Sequence, residues 1–200
     1  MRYIFIIIIA ISNLFGQSGY EIVKRLDEKN KPKNMVSRTS MVLTNSKGKT
    51  RNSVMLTKTM DNSRHQLIWF LEPKDDKGIS FLKIEHDNRD DEMRIWLPAF
   101  KRVRRISASK KGDSFMGSDL SYEDMTSRSL EENEYKRLDD DVMGGKNCFV
   151  IKVSPNASIK SSYSMHKIWV VKDDLNIIKE ESYDKRGKLK KDKSYSYLKI

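Results

Sequence analysis

The sequence predicts a mainly β protein with few helices, an α+β domain on a curved antiparallel sheet, or incomplete β-barrel, that helix and loop cover on its concave side. Three observations carry this expectation. From residue 35 onward apolar residues recur with period two in short runs. Turns rich in Gly, Asn and Asp separate the runs, and such short connections join antiparallel neighbours. No helical pattern alternates with the strands, so a parallel sheet has no crossovers to build it. The length of 200 residues, with 38% hydrophobic and 34% charged, suits one domain with a modest core.

The elements follow in order. Met1 and Arg2 give a positive start, 3–11 is an apolar run with four consecutive isoleucines, and 12–18 is small and polar, which is the pattern of a secretory signal. The run is too short for the roughly 20 residues of a spanning helix. We expect a signal peptide over 1–16, cleaved near 16–18, and a single domain over 17–200. Ile22, Val23 and Leu26 are spaced as one face of a short helix over 20–28, ended by Pro32. Strands are expected at 35–44 and 50–60, paired as a hairpin through Asn45 to Gly48. The strand at 65–72 is so apolar that cover on both faces is expected. Strands follow at 79–85 and 92–97, where Pro98 removes the donor needed to continue. After a loop over 99–128 come strands at 134–142, 146–153, 163–172 and 177–183, and a last one ending near Ile200. Cys148, the only cysteine, lies in an apolar run and reads as core filler.

The net charge of +11 brings nucleic acid, anionic lipid and acidic protein surfaces into view. The long loop concentrates it in Lys101, Arg102, Arg104, Arg105, Lys110 and Lys111, against Asp113 alone. No aromatic residue interleaves this run, and export removes nucleic acid as a partner, so the loop reads as a docking surface for anionic lipid or a membrane protein. Catalytic patterns are missing. His65, His86 and His166 stand apart, without metal-ligand spacing, and no glycine-rich phosphate loop appears. Ser118 lacks the glycine two positions on that a nucleophile elbow needs. The reading is a non-enzyme without metal or cofactor. Gly117 permits a positive φ, Ser118 or Asp119 is expected to cap a helical turn through Tyr122 to Met125, and Asp119, Glu123 and Asp124 to complement that turn and the arginines. One helix cannot cover some ten strands, so part of an apolar concave face is left for a ligand. The expected lining is Leu67, Trp69, Leu71, Phe81, Ile95, Leu97, Phe115, Met116, Ile151 and Trp169.

Ile95-Trp96-Leu97-Pro98-Ala99, Arg104-Arg105-Ile106, Phe115-Met116-Gly117-Ser118-Asp119 and Tyr122-Glu123-Asp124 resemble the outer-membrane lipoprotein-sorting protein family. These are the LolA/LolB-like periplasmic carriers, and the similarity is greatest to the branch that accompanies RND-type lipid exporters. Segments 167–171 and 183–188 also fit. The resemblance implies an incomplete β-barrel closed on one side by helices, which holds acyl chains in an apolar cavity and moves them across the periplasm. It makes Pro98, Gly117, Ser118, Asp119, Tyr122, Glu123 and Asp124 signature positions with structural roles. The family pattern continues for several strands past the turn at 184–187, so C-terminal strands are expected to be lacking from 17–200. The function expected is a soluble, monomeric periplasmic carrier of lipid or lipoprotein acyl chains between membrane partners. The alternative is an adaptor that docks an RND-type exporter without cargo, and a third is a lipid esterase using Ser118.

Overall fold

A computed structural model of the protein describes residues 17–29, 32–87 and 89–197. The expected signal peptide over 1–16 lies outside them. Helix α1, Gly19–Asp27, starts where Ser18 and Glu21 form a reciprocal capping box. Ser18 Oγ accepts from Glu21 N at 3.2 Å, and Ser18 N donates to Glu21 Oε2 at 2.7 Å. Gly19 lets the helix lie directly on a strand, since a Cβ there would stand 2.9 Å from Arg137 N.

Eleven strands follow among the described residues: β1 Met35–Thr44, β2 Thr50–Met60, β3 His65–Glu72, β4 Ser80–Ile84, β5 Glu92–Leu97, β6 Arg102–Ile106, β7 Asn133–Met143, β8 Lys146–Pro155, β9 Tyr163–Val171, β10 Ile177–Asp184 and β11 Leu189–Ser194. Every pairing is antiparallel. The expected meander is present, divided into two sheets with orders β1-β2-β3-β4-β5-β6 and β11-β10-β9-β8-β7. The final strand ends at Ser194 rather than near Ile200, and 198–200 lie outside the described residues.

Two expectations need correction. The basic run is not all loop, because Arg102–Ile106 is a strand paired with β5. Pro98–Phe100 makes one helical turn, and Lys101 at φ 48° reverses the chain into β6. Four consecutive exposed residues hid the strand from hydrophobic periodicity; at a sheet edge such charges suit, because they discourage pairing with another chain. Strand β3 is likewise not covered on both faces. Ile68 and Phe70 are buried, whereas Leu67, Trp69 and Leu71 remain partly exposed on the other face.

Helix α1 covers the second sheet. Ile22 is fully buried against Ile151, Val153, Ile168 and Val170. The opposite face of that sheet carries a smaller cluster of Cys148, Val150, Trp169 and Val171, where Cys148 is the filler its sequence suggests. Among the described residues nothing helical of that length lies on the first sheet. Its inner face is covered by the segment between β6 and β7, which joins the two sheets.

Candidate functional site

Alternation puts Met55, Ile68, Phe70, Phe81, Met93, Ile95 and Ile106 on one face of the first sheet. These side chains are buried by the protein's own Phe115 and Tyr122, with Met116, Leu120 and Met125 around them. Phe115 stands edge-on to Phe81 at 5.2 Å between centroids and to Tyr122 at 5.8 Å, and lies 6.3 Å from Phe70. Edge-to-face geometry of this kind adds about 1 kcal/mol per pair beyond the area buried. The plug is shaped locally. Phe115 N donates to Leu120 O at 2.7 Å, Ser118 N to Phe115 O at 3.0 Å, and Met116 and Gly117 take φ 52° and 75° in succession. Gly117 suits the second of these left-handed positions because it has no side chain to strain. Toward β2 the same face turns polar, with Ser53, Thr57 and Thr59 buried. Ser53 Oγ and Thr59 Oγ1 have no hydrogen-bond partner among the described residues.

The far end of the same segment is held by charge. The Asp124 carboxylate, 3% exposed, accepts from Lys191 Nζ, from Lys193 Nζ at 3.1 Å, from Ser121 N at 2.7 Å and from Tyr163 Oη. Lys193 also reaches Glu180 at 2.8 Å, which receives Arg128 at 2.6 Å and lies 3.4 Å from His166 Nδ1. Burial alone would raise the Asp124 carboxyl, but Lys191, Ser121 and Lys193 hold it well below the usual carboxylate range. Glu180 is likewise pushed up by burial and more strongly down by His166, Arg128 and Lys193. Burial lowers His166 in spite of Glu180, and raises the Tyr163 phenol to about 12. Next to Asp124, Glu123 accepts from Ser161 Oγ at 2.5 Å and from Ser162 N at 2.8 Å. A polar cavity of about 100 Å³ borders this network, lined in part by Lys111, Glu123, Arg128 and Lys160. It has room for a few waters and not for an acyl chain.

Comparison with known proteins places this arrangement. A family model described as "Uncharacterized protein" matches residues 62–199. An outer membrane lipoprotein-sorting protein domain from Vibrio parahaemolyticus is 30% identical, with a TM-score of 0.79 over 86% of this chain and 74% of that one. The chain belongs to the outer-membrane lipoprotein-sorting protein family. A DUF1329 family protein from Desulfovibrio piger is 31% identical, with a TM-score of 0.81 over the same 86% and 74%. A LolA superfamily protein from Nitrosomonas europaea, at 15% identity and TM-score 0.60 over 87% of this chain and 75% of that one, shares the fold. No curated protein matches the sequence.

On this lipoprotein-sorting fold the expected lining residues divide between faces. Phe81 and Ile95 line the inner face of the first sheet, with Leu97 packed beside them and Phe115 and Met116 above. Leu67, Trp69 and Leu71 share the opposite face, one register step away. Ile151 packs under α1, and Trp169 belongs to the far face of the second sheet, its Nε1 donating to Asp141 at 2.9 Å. The basic residues divide too. Arg102 and Arg104 pair with Leu97 and Ile95 and so share the inner side, where Arg104 faces the Tyr122 phenol. Arg105 pairs with Arg94 on the outer side. Lys101 and Lys110 are exposed, and Lys111 is tied to Asp91 at 3.1 Å.

The signature positions act otherwise than expected. Pro98 does end β5. Ser118 caps no helix; its Oγ donates to Phe115 O at 2.6 Å and accepts from Leu120 N, so it shapes the plug. Asp119 is exposed. Glu123 and Asp124 are bound by residues from 161 to 193, not by the neighbouring arginines, because the sheet strands bring those distant groups closer. Sequence reasoning missed Lys191, Lys193 and Glu180 altogether, and weighed His166 only as a metal ligand. Their alternation, with Lys191 and Lys193 on one face of β11 and Glu180 and Ser182 on one face of β10, was the available signal.

Proposed function

We propose that the protein is a periplasmic carrier that takes a lipid, or the acyl chains of a lipoprotein, onto the inner face of its first sheet and passes them between membrane partners. The observation that carries this is the apolar inner face covered, among the described residues, by the protein's own Phe115–Tyr122 plug. A guest chain takes the place of Phe115 and Met116, exchanging one apolar contact for another. Burial of a 16-carbon chain contributes on the order of 12 kcal/mol at about 0.8 kcal/mol per CH₂, well above the about 3 kcal/mol that removing one phenylalanine from a core costs. The unpartnered Ser53 and Thr59 hydroxyls at the polar border suit the ester or headgroup end. The exposed cations Lys101, Arg102, Arg104 and Lys110 suit a docking partner, in this reading an RND-type exporter. Among the described residues no helix is long and apolar enough to cross a membrane. The protein acts without catalysis in this reading; the Ser118 hydroxyl is engaged with the backbone of Phe115 and Leu120 rather than with a base.

The plugged inner face also suits the adaptor alternative, in which the plug never leaves. Native mass spectrometry of gently purified protein and displacement of a fluorescent fatty acid separate the two. The carrier binds fatty acid and a Phe81→Asp change abolishes that binding in protein that still melts cooperatively. Absence of both co-purified lipid and fatty-acid binding leaves the adaptor.

A further inference from the structure

The outer face of the first sheet lies away from the cargo face and has a composition of its own. Leu56, Trp69, Trp96 and Val103 stand in one cross-strand row, with Ser80 between the two tryptophans, and Leu67 and Leu82 stand beside them in the next. None of the six apolar residues is buried; Trp96 is 37% exposed and Val103 56%. A groove of about 340 Å³ runs between Leu56, Trp69 and Leu71, with Lys58 and Lys77 on its rim. A contiguous apolar patch of this kind on a charged protein marks an interaction site.

Charge says what covers it. The second of these rows continues at its ends into Lys58, Arg94 and Arg105. Arg94 is paired with Glu92, but Lys58, Lys77 and Arg105 form no ion pair among the described residues. The outer face of the second sheet is a built-in control. There Trp169 donates its Nε1 to Asp141, Lys167 and Lys179 stand over its ring, and Glu181 neutralises Lys179. That tryptophan and its cations are satisfied within the protein. On the first sheet Lys58 stands over the Trp69 ring at 5.7 Å, but Trp96, Lys77 and Arg105 are left facing outward, indole edge and cation together, as an interface of hydrocarbon and anionic headgroups requires.

We propose that the outer face of the first sheet docks on anionic lipid surfaces, with Trp69 and Trp96 at headgroup level and Lys58, Lys77 and Arg105 on the headgroup charges. This surface works independently of whether the inner face carries cargo. It also separates Arg105 from Arg102 and Arg104, which the register puts on the inner side.

The test is co-sedimentation of the purified protein with phosphatidylcholine vesicles, with and without phosphatidylglycerol, together with its tryptophan emission. The expected result is salt-sensitive binding only to the phosphatidylglycerol vesicles, with a blue shift. Lys58→Gln with Arg105→Gln weakens it by about 30-fold, at about a kilocalorie per mole for each surface cation. Trp96→Ala removes most of the blue shift. Lys101→Gln with Lys110→Gln leaves binding unchanged. All these positions are exposed, and thermal melting checks that each variant folds. Fatty-acid displacement stays at the parent level in the face variants, so failure here is distinct from failure of the carrier reading. The proposal is overturned by absence of vesicle binding, by equal binding to both vesicle types, by loss in the Lys101/Lys110 variant instead of the face variant, or by a face that captures a protein but no lipid.

Discussion

The single segment between β6 and β7 is attached at its two ends by opposite kinds of force. Around Phe115 it touches the first sheet through Phe70 and Phe81, with its own Tyr122 packed on Phe81 and Phe115, all aromatic contacts. Around Asp124 it meets the second sheet through Lys191, Lys193 and Tyr163, all polar or charged contacts. The difference decides what each end can exchange. An acyl chain offers Phe81 the same dispersion contacts that Phe115 does, so the apolar end can be replaced by a guest. No lipid tail offers Lys191 and Lys193 a carboxylate, and unpairing a buried ion costs several kcal/mol. In the proposed carrier the plug is therefore exchangeable at Phe115 and Met116, while Glu123 and Asp124 keep their bonds to the second sheet and its loops.

The largest effect that would break this comparison is Asp124→Asn, which strips Lys191 of its carboxylate, leaves Lys193 to Glu180 alone and is expected to lower unfolding free energy by about 3–5 kcal/mol in urea melts. Fatty-acid affinity measured on the folded protein should not rise. Phe115→Ala is expected to cost about 3 kcal/mol, at the low end for phenylalanine because its neighbours can close over the gap. Its fatty-acid affinity should increase, since the guest no longer competes with the ring. If Asp124→Asn tightens binding and Phe115→Ala does not, the two ends have been assigned the wrong way round.

A smaller effect lies in pH. His166 is held below its ordinary value by burial, with Arg128 and Lys193 opposing and Glu180 supporting its charge, and Ser182 on its Nδ1. Below about pH 6.5 the unfolded chain takes a proton that the folded protein resists, so stability falls as the pH drops from there. Asp124 and Glu180, both depressed, stabilise the fold above about pH 4 and lose that contribution as the pH falls further. Thermal melts across this range should show both losses, and His166→Gln should remove the upper one while leaving the lower.

Much of the chain was legible beforehand because its turns and alternation are local. The hairpin through Asn45 to Gly48 and the stop at Pro98 each follow from residues within a few positions of one another. Strand β6 was not legible, since Arg102, Val103, Arg104 and Arg105 alternate no hydrophobicity. The expected lining divides by face: Phe81, Ile95, Phe115 and Met116 meet, whereas Leu67, Trp69 and Leu71 fall on the other face because an apolar run such as 65–72 carries no mark of which side is inward.

The sequence by itself determined the antiparallel class, the strand punctuation, the family and the segment that matters, 93–125, because each depends on neighbouring residues or on a recognisable order of motifs. Only the tertiary structure decided that Asp124 belongs to Lys191 and Lys193, that Phe115 belongs to Phe81, and that the tryptophans of the first sheet face outward. Those pairings join residues 30 to 70 positions apart, and no local pattern encodes which of two alternating faces a neighbouring segment will cover.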